Sequence, residues 1–91
     1  MKLVHTTEYN NHNPNEYGWE ATRLHIYEIE NDDEWNEVFE SYDNPEKRDE
    51  ILDDLGYHSE YGVPAGAQFS RYTLHIMGEF VAVEECTAYN V

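Results

Sequence analysis

The stretch NDDEWNEVFESYDNPEKRDEILDDL, residues 31–55, decides how this chain folds. Asn31 is a favoured helix N-cap, and Glu34, three residues on, stands where a capping box places its carboxylate. Trp35, Val38, Phe39 and Tyr42 recur at i, i+3, i+4 and i+7, one apolar stripe of a first helix. Asn44-Pro45 then supplies a second start, with Asn as cap and Pro at the first helical position. Ile51, Leu52 and Leu55 give the second helix its buried side, and Gly56 stops it.

Outward from this pair, the flanks read as strands. Residues 2–8 (KLVHTTE) form a short first strand. Residues 9–20 are loop by composition, with four Asn, a Pro and a Gly. Ala21 to Ile29 is a second strand, in which Leu24 and Ile26 share an apolar face and Arg23, His25 and Tyr27 the other. Residues 57–68 connect to a terminal hairpin, Phe69–Ile76 and Phe80–Ala88 around Met77-Gly78-Glu79. Tyr72, Leu74 and Ile76 share one face of it, as do Val81 and Val83. The expected fold is α+β: an antiparallel sheet of about four strands with two short acidic helices on one face, in the order β-β-α-α-β-β.

The chain of 91 residues and 10.8 kDa fits a single domain, 1–91. Twenty acids against five bases give a net charge of −15. That charge argues against nucleic acid or an anionic membrane as a direct partner. Disorder is opposed by 40% hydrophobic residues, eight Tyr among them. One cysteine, Cys86, leaves no internal disulfide and no Cys-based zinc site. The N-terminus has no signal-peptide apolar region, and no apolar run reaches the ~18 residues of a membrane span. A cytoplasmic protein is expected.

The acids are unevenly placed. Glu28 to Asp54 holds thirteen acids and only Lys47 and Arg48 as bases, a net charge of −11, whereas Tyr61 to Gly78 holds no acid. On the first helix Asp33, Glu37 and Glu40 lie opposite the apolar stripe. On the second, Glu46, Asp49, Glu50 and Asp53 lie opposite Ile51, Leu52 and Leu55. Helical neighbours at i,i+3 or i,i+4 stand about 5–6 Å apart, close to the phosphate spacing along a nucleic-acid strand. These rows cost stability, because each like-charge i,i+4 pair is unfavourable by about 0.2–0.5 kcal/mol. Asp53 and Asp54 also sit near a helix C-terminus, where the dipole favours cations. A merely solvated face does not call for either feature. Salt adaptation fits poorly, since Glu outnumbers Asp fourteen to six.

Other chemistry is thinly supported. None of His5, His12, His25, His58 and His75 lies in an H-E-x-x-H pattern, although His25 and His75 sit mid-strand and invite a cross-sheet pair. The oxygen-rich Asn31–Glu34 and Asp43-Asn44 do not match a calcium-loop pattern. No P-loop, G-x-S-x-G or G-x-G-x-x-G is present. Glu84 and Glu85 point to opposite faces of a strand, and no basic residue beside Cys86 in sequence activates it. Neither an enzyme, nor a cofactor, nor a dedicated metal site is expected.

In size, charge and acidic helical rows the chain resembles the small acidic anti-defence proteins of phages and mobile elements. These include anti-CRISPR and anti-restriction proteins that mimic nucleic acid. The resemblance is one of class, with no motif behind it. It implies a stoichiometric inhibitor in the host cytoplasm whose Asp33, Glu37, Glu40, Glu46, Asp49, Glu50 and Asp53 meet the basic groove of a nucleic-acid-binding protein. The alternative is a non-mimic interaction module, or a toxin-neutralising regulator, docking through a neutral aromatic side with Tyr61, Val63, Phe69 and Tyr72. Tyr9, Tyr17, Trp19, Tyr57 and Tyr61 fall in loops flanking the acidic helices, where a rim of aromatics around the carboxylate face would suit protein recognition.

Overall fold

The computed structural model describes the backbone of residues 1–9 and 19–89, and side chains over 1–8 and 22–88. Six elements follow one another: β1 (Lys2–Tyr9), β2 (Trp19–Glu28), α1 (Asp32–Glu40), α2 (Pro45–Leu55), β3 (Gln68–Met77) and β4 (Phe80–Tyr89). The strands form one antiparallel sheet in the order β1-β2-β4-β3. The fold is therefore α+β in the order read from the sequence, with β2 starting two residues earlier. The two hairpins meet along β2 and β4, which leaves β1 and β3 as edges.

Local chemistry sets the boundaries. Asn31 Oδ1 accepts from the Glu34 amide at 3.0 Å, and Asn44 Oδ1 accepts from Glu46 and Lys47 at 3.2 and 3.3 Å. The Glu34 carboxylate takes the Glu30 amide at 2.9 Å, one residue before the cap, and also holds the N-terminal amine. Burial alone would raise the Glu34 pKa, yet these donors bring it below the usual carboxylate value. Gly56, at φ 93°, closes α2: the Tyr57 amide reaches Leu52 O at 2.9 Å and the Gly56 amide Asp53 O at 3.0 Å, a Schellman pattern. Between β3 and β4 the two-residue loop Gly78-Glu79 has positive φ only at Gly78, as a type II′ turn requires.

The register decides which sheet face is core. Leu3, Tyr27, Val81 and Ile76 lie across one row, and Thr6, His25, Val83 and Leu74 across the next. This is the face under the helices, where Tyr27, Leu74, Val81 and Val83 pack with Ile29, Val38, Ile51 and Leu52. Leu24 and Ile26 have the opposite parity, so the more apolar face of β2 is the one turned away from the helices. The histidine pair is corrected in the same way. β4 separates the strands of His25 and His75, and parity puts the two rings on opposite faces.

An apolar stripe ordinarily marks a helix's buried side, but α1 is turned off its stripe. Its inward residues are Glu34, Val38 and Ser41, with Val38 1% and Ser41 0% exposed. Trp35, Phe39 and Tyr42 form the neighbouring row, about 100° around the axis, and are 40%, 75% and 55% exposed. Three anchors hold this rotation. Glu34 is tied to the N-terminal amine, Ser41 Oγ donates to Val38 O at 2.6 Å, and Arg48 from α2 caps the end of α1. The Arg48 guanidinium donates to Ser41 O at 2.9 Å and Tyr42 O at 3.0 Å, putting a cation where the helix dipole is negative. Replacing Arg48 by Gln is expected to cost about 1–2 kcal/mol in a urea melt, more than an ordinary surface substitution.

Candidate functional site

The helical layer carries the predicted acids. Asp33, Glu37 and Glu40 on α1 and Glu46, Asp49, Glu50 and Asp53 on α2 are all exposed. Lys47 sits in the seam between the rows, its ammonium 3.2 Å from Glu50 and 3.9 Å from Glu40. The hydrogen bond and charge of Glu50, aided by Glu40, hold the Lys47 pKa above the usual lysine range. The rows thus meet at Lys47 as one surface. Asp53 is paired with His58 at 2.8 Å. Asp33, Glu37, Glu46 and Asp49 have no ion pair among the described residues. Of the two bases in this segment, Arg48 is committed to backbone carbonyls, so one lysine faces a surface of seven carboxylates.

Beside this surface runs a groove that the periodicity did not reveal as exposed. It holds about 530 Å³ between α1 and β3, and is lined by Trp35, Val38, Phe39, Glu40, Tyr42, Asp43 and Ile76. The Phe39 and Tyr42 rings meet edge-on, with centroids 6.3 Å apart. Large aromatics left in water are the composition of binding hot spots. Ser41, small and fully buried three positions after Val38, takes the place in the core that the stripe assigns to Tyr42.

A third constellation forms where β2 and β4 pair beyond the helices. His25 Nε2 lies 3.2 Å from Glu85 Oε1, and Tyr72 donates its hydroxyl to Glu85 Oε2 at 3.2 Å. Arg23 stands 3.6 Å from the same carboxylate. Tyr57 stacks on His25 at 5.3 Å and shares a 2.6 Å hydrogen bond with the Tyr27 hydroxyl. Burial pushes the Tyr57 phenol well above its usual value of 10, with the bond to Tyr27 and the Glu85 charge adding to it; burial and Glu85 raise Tyr72 as well. Every polar group here has a partner in the cluster, and the described residues bring no third metal-binding side chain to it. It holds Tyr57, at the end of α2, against the sheet.

A phenol with a raised folded pKa contributes stability that is fully present below pH 10 and lost as pH rises through the folded value. In an absorbance titration at 295 nm, Tyr57 and Tyr72 are therefore expected to ionise late, together with loss of the circular-dichroism signal. A titration unchanged by Tyr57→Phe and Tyr72→Phe at its alkaline end, with the fold intact, would contradict this assignment.

The remaining predicted positions scatter. Tyr72 points to the helix side, whereas Phe69, three residues earlier on β3, has the opposite parity, so the neutral aromatic side is not one surface. Tyr61 is exposed and stacks under the Arg71 guanidinium at 4.1 Å. Burial pushes the Cys86 thiol up, away from reactivity. Glu84 pairs with His75 at 2.9 Å on one face and Glu85 with His25 on the other. His12 and Tyr17 lie outside the described residues, as do the side chains of Tyr9 and Trp19. No helix among the described residues is long and apolar enough to cross a membrane. Comparison with protein-family models, with curated proteins and with solved structures finds no match, so the chain's own geometry carries the functional argument.

Proposed function

We propose that this chain is a stoichiometric inhibitor whose acidic helical layer occupies the basic groove of a nucleic-acid-binding host defence protein, of the CRISPR-effector or restriction-nuclease type. The observation that carries the reading is the joined surface of seven exposed carboxylates with Lys47 alone among them. Acidic residues at i,i+3 and i,i+4, with Cβ atoms about 5–6 Å apart along each helix, present charge at a spacing that phosphate-holding Lys and Arg side chains accept. The inhibitor competes with nucleic acid and performs no chemistry.

Affinity capture from lysate, washed at low and at high salt, tests the proposal. Basic DNA- or RNA-binding proteins recovered at low salt, and displaced by added duplex DNA, are the expected result. One partner that survives high salt and ignores DNA would sink it.

The exposed Trp35, Phe39 and Tyr42 favour a second reading, docking of a non-mimic partner through the apolar side chains of the aromatic groove. Binding there would be nearly independent of salt and would fall on Phe39→Ala.

A further inference from the structure

The sheet has a second face that no described element covers. Its rows are Lys2, Glu28, Phe80 and Met77, then His5, Ile26, Ala82 and His75, then Thr7, Leu24, Glu84 and Thr73. An antiparallel sheet with one face in water normally alternates apolar inward with polar outward. Here the central strands carry half-buried Leu24 and Ile26 and the exposed Phe80 outward around a fully buried Ala82, and Met77 beside them is 53% exposed.

We propose that this face is where two copies of the chain pack, sheet against sheet, into a symmetric dimer. Charge selects the occupant. The described side chains of this face hold Lys2 and Arg71 against Glu28 and Glu84, a balance of zero in a chain whose net charge is −15. A basic partner is drawn to the helices and gains nothing here, whereas a second acidic chain can approach without setting acid on acid. Area agrees: four strands spaced about 4.8 Å, eight residues long at about 3.4 Å each, give about 500 Å² of flat surface per copy. The pair buries about 1,000 Å² before side-chain relief is counted, the threshold for a specific interface. The helical acids of each copy then lie on the outside, and their mutual repulsion is screened as salt rises.

Dimerisation and partner binding therefore respond oppositely to salt. Sedimentation equilibrium of the full chain, up to about 300 µM, is expected to show a dimer at 0.5 M NaCl that weakens about tenfold at 0.05 M. Ile26→Glu and Met77→Glu should each weaken it at least about tenfold. Met77 lies at the exposed hairpin end, so its variant remains informative should the Ile26 variant unfold. A monomer at both salt concentrations, or a dimer indifferent to Met77→Glu in a folded protein, overturns the proposal. The dimer does not rest on the inhibitor reading. Asp33→Asn/Glu37→Gln/Asp49→Asn should leave it intact, so failure of either idea is seen separately.

Discussion

Val38→Ala is expected to lower stability by about 2–3 kcal/mol, and its neighbour Phe39→Ala by less than about 0.5 kcal/mol, although Phe is the larger side chain. Val38 is 1% exposed beneath α1 and packs with Ile51, Leu52 and the β4 valines, whereas Phe39 is 75% exposed. Removing two buried methyl groups forfeits about 0.8 kcal/mol each in transfer free energy, and the cavity adds the rest. In a chain this short, each 1 kcal/mol shifts the melting temperature by about 4–8 °C. A thermal melt should therefore show a drop of about 10 °C or more for Val38→Ala and little for Phe39→Ala. Equal losses would mean that α1 is seated on its aromatic stripe, and the groove would not exist.

The second large effect is on binding. Asp33→Asn/Glu37→Gln/Asp49→Asn removes three carboxylates that have no ion pair among the described residues. Loss of affinity for a basic partner should be on the order of tenfold or more at about 0.1 M salt, and should shrink as salt rises. Glu40→Gln/Glu50→Gln should do less, since Lys47 already offsets those two. The triple variant should melt within a few degrees of the parent, because relief of the Asp33/Glu37 and Asp49/Asp53 repulsions offsets the loss of Asp33 from the positive end of α1. A triple variant that binds as the parent does would make the acidic layer irrelevant to recognition.

Much of the fold was legible because it is local. Asn31, Asn44-Pro45 and Gly56 act on their own neighbours, and each bounds a helix where the sequence places the boundary; at Gly78 the turn is one residue tighter than the Met77-Gly78-Glu79 reading, because Met77 pairs with Phe80. The acids were legible for a related reason: thirteen charges within 27 residues cannot all be buried, so their exposure follows from desolvation cost alone. The rotation of α1 was not legible. Trp35, Val38, Phe39 and Tyr42 satisfy the helical period whichever flank faces the sheet. The choice is made by Arg48 seven positions after Ser41, and by an amine 33 positions before Glu34. The core face of β2 was hidden for the same reason. Leu24 and Ile26 are the more apolar pair, yet register with Val81 and Val83 turns Tyr27 and His25 inward. The His25–Glu85–Tyr72 cluster likewise exists only once three strands are paired.

The most direct measurement titrates nucleic acid into a complex of this chain with its captured basic partner, following both by size and fluorescence. Mutual exclusion is predicted: the apparent dissociation constant for nucleic acid should rise in proportion to free inhibitor, with no species containing all three components. A stable ternary complex, with nucleic acid and this chain bound to the partner together, would contradict the account.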